Sequence, residues 1–266
     1  MRPISLAFSS CPNDTFIFYA LVNRKIDTDE FIFKEELADI DRLNQMAFAK
    51  EIDVVKVSYH AFGYLRDQYN LLRSGGALGR RCGPLLVAKV PVTRGDIVNK
   101  TIAIPGEYTT AFLLLRLYQP EVRDVVSMQF DRIMPAVKNG DVDAGLIIHE
   151  GRFTYPQYGL KKIIDLGEWW EDYTGCLIPL GCIIIKKKLG KEIAQEVERL
   201  IKESITYAYL HKEEVREYIK MYAQELEDSV IDNHINLYVN EYSLDIGQEG
   251  ERAVRVLFGL FPPAIK

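Results

Sequence analysis

The chain has 266 residues, with 33 Lys and Arg against 38 Asp and Glu, a formal net charge of -5 and 48% hydrophobic residues. These values are typical of a globular protein with a sizeable core, and the length suggests one large or two small domains. The mild acidity and the absence of a basic cluster argue against nucleic-acid binding. No apolar run approaches the ~18 residues of a membrane span. We therefore expect neither nucleic acid nor membrane as a partner.

The N-terminus and the cysteines indicate a cytoplasmic protein. The first residues lack the apolar stretch and cleavage pattern of a secretory signal. Cys11, Cys82, Cys176 and Cys182 are scattered without CxxC spacing, which favours reduced thiols over a disulfide framework. The segment HEGRF at His149 is not HExxH, and the other histidines and cysteines have no local ligand spacing. The sequence therefore predicts no metal site.

Short strand-like runs alternate with helix-like runs through the first two thirds of the chain. In order they are ISLAF then TFIFYALV, DVVKVS then YHAFGYLRDQ, TIAIP then TTAFLLLRLY, and DRIMPAVKNG then AGLII. This alternation predicts an α/β protein with largely parallel sheets. The apolar runs LLVAKVPV and CIIII indicate further strands. From Lys191 onward apolar residues recur at helical spacing, so we expect the C-terminal quarter to be helical.

A weak internal repeat suggests two similar halves. The segment that starts at Asp41 overlays the segment that starts at Asp131 without a gap, and each is a helix leading into a strand. Chance similarity of amphipathic units is the alternative. Two lobes facing a cleft, with GPLLVAK and PLGCIIIKK as crossover strands, would explain the repeat. We predict a larger discontinuous lobe of residues 1–88 and 179–266, with the C-terminal helices, and a smaller lobe of 89–178.

The first two predicted strand-to-helix turns carry polar side chains, and ligands of open α/β sheets bind at such turns. After the first strand, Asn13 or Asp14 can cap the helix that follows. In the strand VVKVS, Lys56 and Ser58 point to the same face because side chains alternate along a strand. We take these four residues as candidate ligand contacts.

The next two turns carry threonines and a histidine. Thr109 and Thr110 occupy a predicted helix start and offer hydroxyl and N–H groups to an anion. His149 follows the strand AGLII, and an imidazole with a pKa near ~6.5 can serve as a general base. The alternative is a structural histidine bonded to a neighbouring carbonyl. Glu150 can orient His149 or be a solvated loop carboxylate, so it stays outside the catalytic list.

The remaining histidines are weaker candidates. His60 lies near another predicted turn and is a second choice for a base. His211 and His234 fall in the helical tail, where we expect surface or packing roles.

Six sequence blocks spread over nearly the whole chain form a specific pattern. They are CPNDTFIFYAL (11–21), KVS (56–58), LRSGGALGR with GPLLVAK (72–89), TTAF (109–112), DRIMPAVKNGDVDAGLIIHEGRFTYPQYGL (131–160) and NEYSLDIGQEGERAV (240–254). Together they resemble the 1,4-dihydroxy-6-naphthoate synthases, enzymes of the futalosine route to menaquinone.

The resemblance implies a type II periplasmic-binding-protein fold, with two α/β lobes around a cleft. It implies conversion of cyclic dehypoxanthine futalosine into 1,4-dihydroxy-6-naphthoate and dihydroxyacetone, with no metal or organic cofactor. His149 is then the proton acceptor. The implied substrate contacts are Lys56, Val57, Ser58, Thr110 and Ala111, to which the helix-start position adds Thr109.

Two other functions remain open on the sequence. A chorismate dehydratase of the same pathway and a non-catalytic solute-binding protein would both bind a carboxylated small molecule on this fold. The blocks around Cys11 and His149 favour the naphthoate synthase. For this reading we expect a carboxylated aromatic substrate and a monomer or weak homodimer.

Overall fold

Two β-sheets with flanking helices make up the structure, a computed structural model that describes residues 2–224 and 227–261. The strands are β1 (Arg2–Phe8), β2 (Phe31–Leu37), β3 (Val54–Ser58), β4 (Tyr69–Leu71), β5 (Ala77–Gly79), β6 (Leu85–Ala88), β7 (Ile102–Ile104), β8 (Val125–Ser127), β9 (Ala144–Ile147), β10 (Lys161–Asp165) and β11 (Ile178–Lys186). The helices are α1 (Pro12–Val22), α2 (Ile40–Phe48), α3 (Tyr59–Leu65), α4 (Thr110–Tyr118), α5 (Phe130–Asn139), α6 (Gly151–Thr154), α7 (Leu166–Thr174), α8 (Lys191–Leu210), α9 (Lys212–Lys220), α10 (Asp228–Tyr238), α11 (Glu241–Leu244) and α12 (Gly247–Gly259).

Both sheets are mixed, so the prediction of largely parallel sheets is wrong. The first sheet has the order β2-β1-β3-β11-β4, with β5 also paired to β11, and the second has the order β10-β6-β9-β7-β8. Strand β1 runs parallel to β2 and β3, and β7 runs parallel to β8 and β9. The crossover strands β6 and β11 run antiparallel to their neighbours. The reason is that each enters its sheet from the opposite lobe.

The predicted alternation of strands and helices is confirmed, as is the helical character of the described C-terminal residues. The repeat also corresponds to structure, since α2 leads into β3 in one half and α5 leads into β9 in the other. The predicted lobe boundary after residue 88 assigns β6 to the larger lobe, whereas β6 pairs with β9 and β10 in the second sheet. We therefore propose a boundary between β5 and β6. Residues 1, 225–226 and 262–266 of the predicted larger lobe lie outside the described residues.

The described C-terminal helices pack beside the first sheet. Helices α8, α9 and α10 pack on α1, which is buried along most of its length. The apolar side chains on one face of β1, Ile4, Leu6 and Phe8, join this core, while Ala7 on the opposite face joins the core under α2 and α3. This packing holds the first turn of α1 against α10. Within residues 2–224 and 227–261, no helix combines the length and hydropathy needed to cross a membrane.

Candidate functional site

The central cleft lies between the two sheets, at the ends of β1, β3, β7 and β9. It encloses about 650 Å³, including the part that is open to solvent. The predicted site residues that line it are Asn13, Asp14, Lys56, Ser58, Thr109, Thr110, Ala111 and His149; they are joined by Ser9, Cys82 and Tyr238. The fold thus gathers side chains from four separate turns. Val57 lies instead in the hydrophobic core, on the opposite face of β3.

A buried ion pair forms the floor of the cleft. Lys56 Nζ lies 2.7 Å from Asp14 Oδ1, and both side chains are under 5% exposed. Lys56 also donates to the carbonyl of Gly75 at 2.9 Å, while the second oxygen of Asp14 accepts from the hydroxyl of Ser9 at 2.7 Å. The low exposure strengthens the electrostatic attraction and makes either charge costly to leave alone. The pair therefore fixes the first turn of α1 against β3.

The predicted capping of α1 by Asn13 or Asp14 is wrong. The residue before the helix is Cys11, and Pro12 takes the first helical position. Proline suits that position because its φ is already helical and its missing N–H would have no intrahelical partner. The helix therefore starts earlier than predicted. Asn13 and Asp14 lie in its first turn, where Asn13 Nδ2 donates to Asp14 Oδ1 at 2.7 Å.

Ser58 lies where β3 passes directly into α3. Its N–H donates to Asn44 Oδ1 at 3.0 Å, and Asn44 Nδ2 lies 3.4 Å from its hydroxyl oxygen. Lys56 and Ser58 both line the cleft, as the alternation of side chains along the strand predicts. Asn44 is fully buried in α2. The sequence does not predict its contact with Ser58, because no local pattern distinguishes it from other helix residues.

The start of α4 forms the wall of the cleft that faces the residues of β3. The helix starts at the threonine pair, as predicted, with Thr109 as its N-cap, whose hydroxyl oxygen accepts from the N–H of Phe112 at 3.2 Å. The hydroxyl of Thr110 donates to the carbonyl of Leu180 at 2.7 Å. Both hydroxyls are thus engaged within the protein, contrary to the expectation that they are available to an anion. The backbone N–H groups of Thr110 and Ala111, which have no partner within the helix, offer the anion site instead.

His60 ties the two lobes together behind this wall. Its N–H donates to the hydroxyl oxygen of Thr110 at 3.3 Å, and its ring Nδ1 lies 3.2 Å from the carbonyl oxygen of Thr109. Burial lowers the pKa of His60 to about 4, although the bond to the Thr109 carbonyl opposes this shift. The neutral ring fixes the start of α4 relative to α3. We therefore assign His60 a structural contact rather than proton transfer.

His149 follows β9 and lines the cleft between the lobes. It has a positive φ of 55°, a strained conformation for a residue other than glycine. Burial lowers its pKa to about 4; the Asp14 carboxylate opposes this shift and the Lys56 ammonium adds to it. Its buried Nε2 has no hydrogen-bond partner among the described residues. At neutral pH the imidazole is therefore uncharged and has an uncommitted ring nitrogen.

His234 is a site neighbour that the sequence analysis missed. It is fully buried in α10, and its ring packs beside that of His149 with 6.3 Å between centroids. Its Nε2 lies 2.9 Å from Asn13 Oδ1. Because Asn13 donates its amide hydrogen to Asp14, the Asn13 oxygen faces His234, which must carry its proton on Nε2. Burial, together with the neighbouring His149, lowers the pKa of His234 well below its usual value.

No local signal in the sequence places His234 at the site, because it lies 221 residues from Asn13. The expectation of a packing role is met in that the ring is buried, but its polar contact with Asn13 was not predicted. His211, by contrast, is exposed and stacks on Tyr207 with 3.9 Å between ring centroids, in agreement with the prediction of a surface residue.

Solved structures with the same architecture place the chain in a known fold class. A ligand-binding component of an ABC-type import system from Staphylococcus aureus superposes with a TM-score of 0.71 at 12% identity, covering 99% of this chain and 94% of that one. A Candida albicans protein with the generic periplasmic-binding-protein fold has a TM-score of 0.67 at 11% identity, covering 99% and 92%. At this identity the likeness shows the fold alone. The chain is an α/β protein with the two-lobed type II periplasmic-binding-protein-like fold.

Sequence comparisons narrow this class to one family. A sequence profile described as menaquinone biosynthesis matches residues 4–262. A 1,4-dihydroxy-6-naphthoate synthase from Thermus thermophilus is 46% identical over 97% of this chain and 93% of its own length. The enzyme of the same name from Streptomyces coelicolor is 44% identical over 96% and 91%. A crystal structure from Archaeoglobus fulgidus has a TM-score of 0.92 at 37% identity, covering 97% and 96%. The chain belongs to the menaquinone biosynthesis family.

Proposed function

We propose that the chain is a cytoplasmic 1,4-dihydroxy-6-naphthoate synthase. It converts cyclic dehypoxanthine futalosine into 1,4-dihydroxy-6-naphthoate and dihydroxyacetone. The observation that carries this proposal is the uncharged His149, which lines the same cleft as the helix start at Thr110 and Ala111. These two groups follow the neighbouring strands β9 and β7. A base and an anion site that share one cleft suit a carboxylated substrate that loses a proton before it fragments.

The substrate carboxylate binds at the start of α4. The N–H groups of Thr110 and Ala111 point out of the helix end, and the helix dipole favours a negative charge there by ~0.3–1 kcal/mol, or more when partly buried. Thr110 and Ala111 are themselves over 95% buried, so water competes weakly for these donors. On the other wall, Lys56 and Ser58 contact the rest of the substrate, and Val57 contributes through its backbone only.

His149 removes the proton that starts the reaction. Its Nε2 has no hydrogen bond to give up among the described residues, and the ring is uncharged at neutral pH. The proton passes to the ring nitrogen, and fragmentation follows because it produces an aromatic naphthoate and releases dihydroxyacetone. A positioned general base typically accelerates such a step ~10²–10⁴-fold. The low pKa of His149 limits its basicity. The remaining rate acceleration therefore comes from the alignment of the base with the substrate when the lobes close.

Incubation of chelator-treated protein with cyclic dehypoxanthine futalosine, followed by mass spectrometry, tests this function. We expect 1,4-dihydroxy-6-naphthoate to accumulate without added metal. A parallel incubation with chorismate should leave chorismate unchanged. Turnover of chorismate alone would assign the chain to the dehydratases. Binding of either compound without turnover would assign it to the solute-binding proteins, and both results contradict the proposal.

A further inference from the structure

Three potential metal ligands converge beside the central cleft. Cys11 precedes α1, and His149 and Glu150 form the turn between β9 and α6. The sulfur of Cys11, a ring nitrogen of His149 and a carboxylate oxygen of Glu150 all lie within 4.8 Å of one another. Cys11 and Glu150 are 1% and 2% exposed. No local spacing in the sequence indicates this cluster, because Cys11 lies far along the chain from the other two residues.

The donor set suits a borderline-soft divalent cation. Thiolate, imidazole and carboxylate are the three ligand types that Zn²⁺ takes, at roughly 2.0–2.3 Å. Tetrahedral geometry at those bond lengths places ligand atoms roughly 3.3–3.8 Å apart, so the three atoms need to approach one another by no more than about 1–1.5 Å. Mg²⁺ and Ca²⁺ prefer sets made of oxygen atoms, and a thiolate therefore selects against them.

Cavities on both sides give the cluster an entry path. His149 lines the central cleft. Glu150 lines a second pocket of about 660 Å³, including the part that is open to solvent, which also contacts Met134, Tyr158 and Gln224. The cluster therefore lies between two spaces that an ion can enter. Water in the central cleft can supply the fourth ligand, which gives the pattern of three protein ligands and one open position.

We propose that Cys11, His149 and Glu150 form an inhibitory binding site for Zn²⁺. Binding replaces the thiol proton of Cys11 with the metal, so one proton leaves to solvent and a Zn–S bond forms. The ion also occupies a ring nitrogen of His149. Since His149 is the base of the proposed function, the metal-bound enzyme is inactive. Only this last consequence rests on the proposed function; the metal site itself does not.

Metal titration of the chelator-treated full chain tests the site without substrate. We expect one Zn²⁺ per chain by calorimetry. Co²⁺, used as a spectroscopic probe, should produce the near-ultraviolet absorption of thiolate-to-cobalt charge transfer. Cys11→Ser should remove that absorption and weaken Zn²⁺ binding by more than about 100-fold, because loss of a ligand exceeds the ~10–100-fold effect of outer partners. Cys176→Ser, which changes another buried cysteine, is the matched control and should leave both signals unchanged.

Two results would overturn the proposal. One is the absence of stoichiometric binding, and the other is a charge-transfer absorption that persists in Cys11→Ser. Glu150→Gln, which keeps the side-chain shape, should weaken Zn²⁺ binding without removing the absorption, and unchanged affinity would exclude Glu150 as a ligand. Inhibition by Zn²⁺ is measured relative to the metal-free rate of each variant. A chain that binds Zn²⁺ but makes no naphthoate would refute the proposed function and leave the metal site standing.

Discussion

Acidification should destabilise this protein steeply, because it buries histidines in uncharged form. His60 and His149 both have a pKa lowered to about 4 by burial. In the unfolded chain each imidazole takes up its proton at the ordinary pKa of about 6.5. Between these two values the unfolded state binds more protons than the folded state. Stability is therefore fully present above about pH 6.5 and is lost as the pH falls toward 4.

The size of the effect follows from the two pKa values. A group that titrates at about 6.5 unfolded and about 4 folded loses about 2 kcal/mol of stability between pH 7 and about pH 5. His60 and His149 together account for about 4 kcal/mol. His234 acts in the same direction, since burial also lowers its pKa. The total free energy of unfolding of a folded domain is only about 5–15 kcal/mol. The urea concentration at the midpoint of unfolding should therefore be much lower at about pH 5 than at pH 7.

Urea unfolding followed by circular dichroism at several pH values measures this dependence. His149→Gln should reduce the loss between pH 7 and about pH 5 by about 2 kcal/mol, because it removes one titrating group. His211→Gln, which changes the exposed histidine, is the control and should keep the wild-type slope. A wild-type loss below about 1 kcal/mol would mean that His149 carries a proton in the folded state. His149 would then not be an uncharged base in the folded protein.

Three further substitutions test the cleft and the turn that precedes α4. Lys56→Met should cost ~3–5 kcal/mol of unfolding free energy, because it leaves a buried carboxylate unpaired. The double variant with Asp14→Asn should recover part of that loss. Additive losses of the two substitutions in urea unfolding would contradict the ion pair. Thr110→Val should weaken binding of 1,4-dihydroxy-6-naphthoate about 10-fold by calorimetry, because it removes the hydrogen bond to the Leu180 carbonyl that positions the start of α4, and Thr110→Ser should restore the affinity. Equal affinities would show that this bond does not position the anion site. Gly106→Ala should cost about 1–3 kcal/mol, since Gly106 has φ +130° and an added Cβ would collide with Asp41, and an unchanged melting temperature would show that this turn is not strained.

Local patterns predicted the parts of the site that depend on neighbouring residues. The alternation of side chains placed Lys56 and Ser58 together on the face of β3 that lines the cleft. The threonine pair marked the start of α4, with Thr109 as its cap. Each of these inferences uses contacts within one strand or one helical turn, where the backbone geometry is regular.

Two features that the sequence did not predict depend on contacts between distant parts of the chain. The crossover strand β11 inserts beside β3 in the antiparallel direction, and no run of residues reveals a strand direction. His234 reaches the site because α10 packs on α1, at the opposite end of the sequence. Tertiary packing, rather than propensity, determines both of these features. The predicted start of α1 is too late for a local reason, since Pro12 occupies the first helical position.

The role of His149 as the base is tested most directly by the turnover of cyclic dehypoxanthine futalosine by His149→Asn. Asparagine keeps much of the size of histidine but cannot take up a proton. We expect kcat to fall ~10²–10⁴-fold, while calorimetric affinity for 1,4-dihydroxy-6-naphthoate stays within about threefold of the wild type. His211→Asn serves as the exposed control and should turn over normally. Near-normal kcat in His149→Asn would show that His149 does not remove the proton.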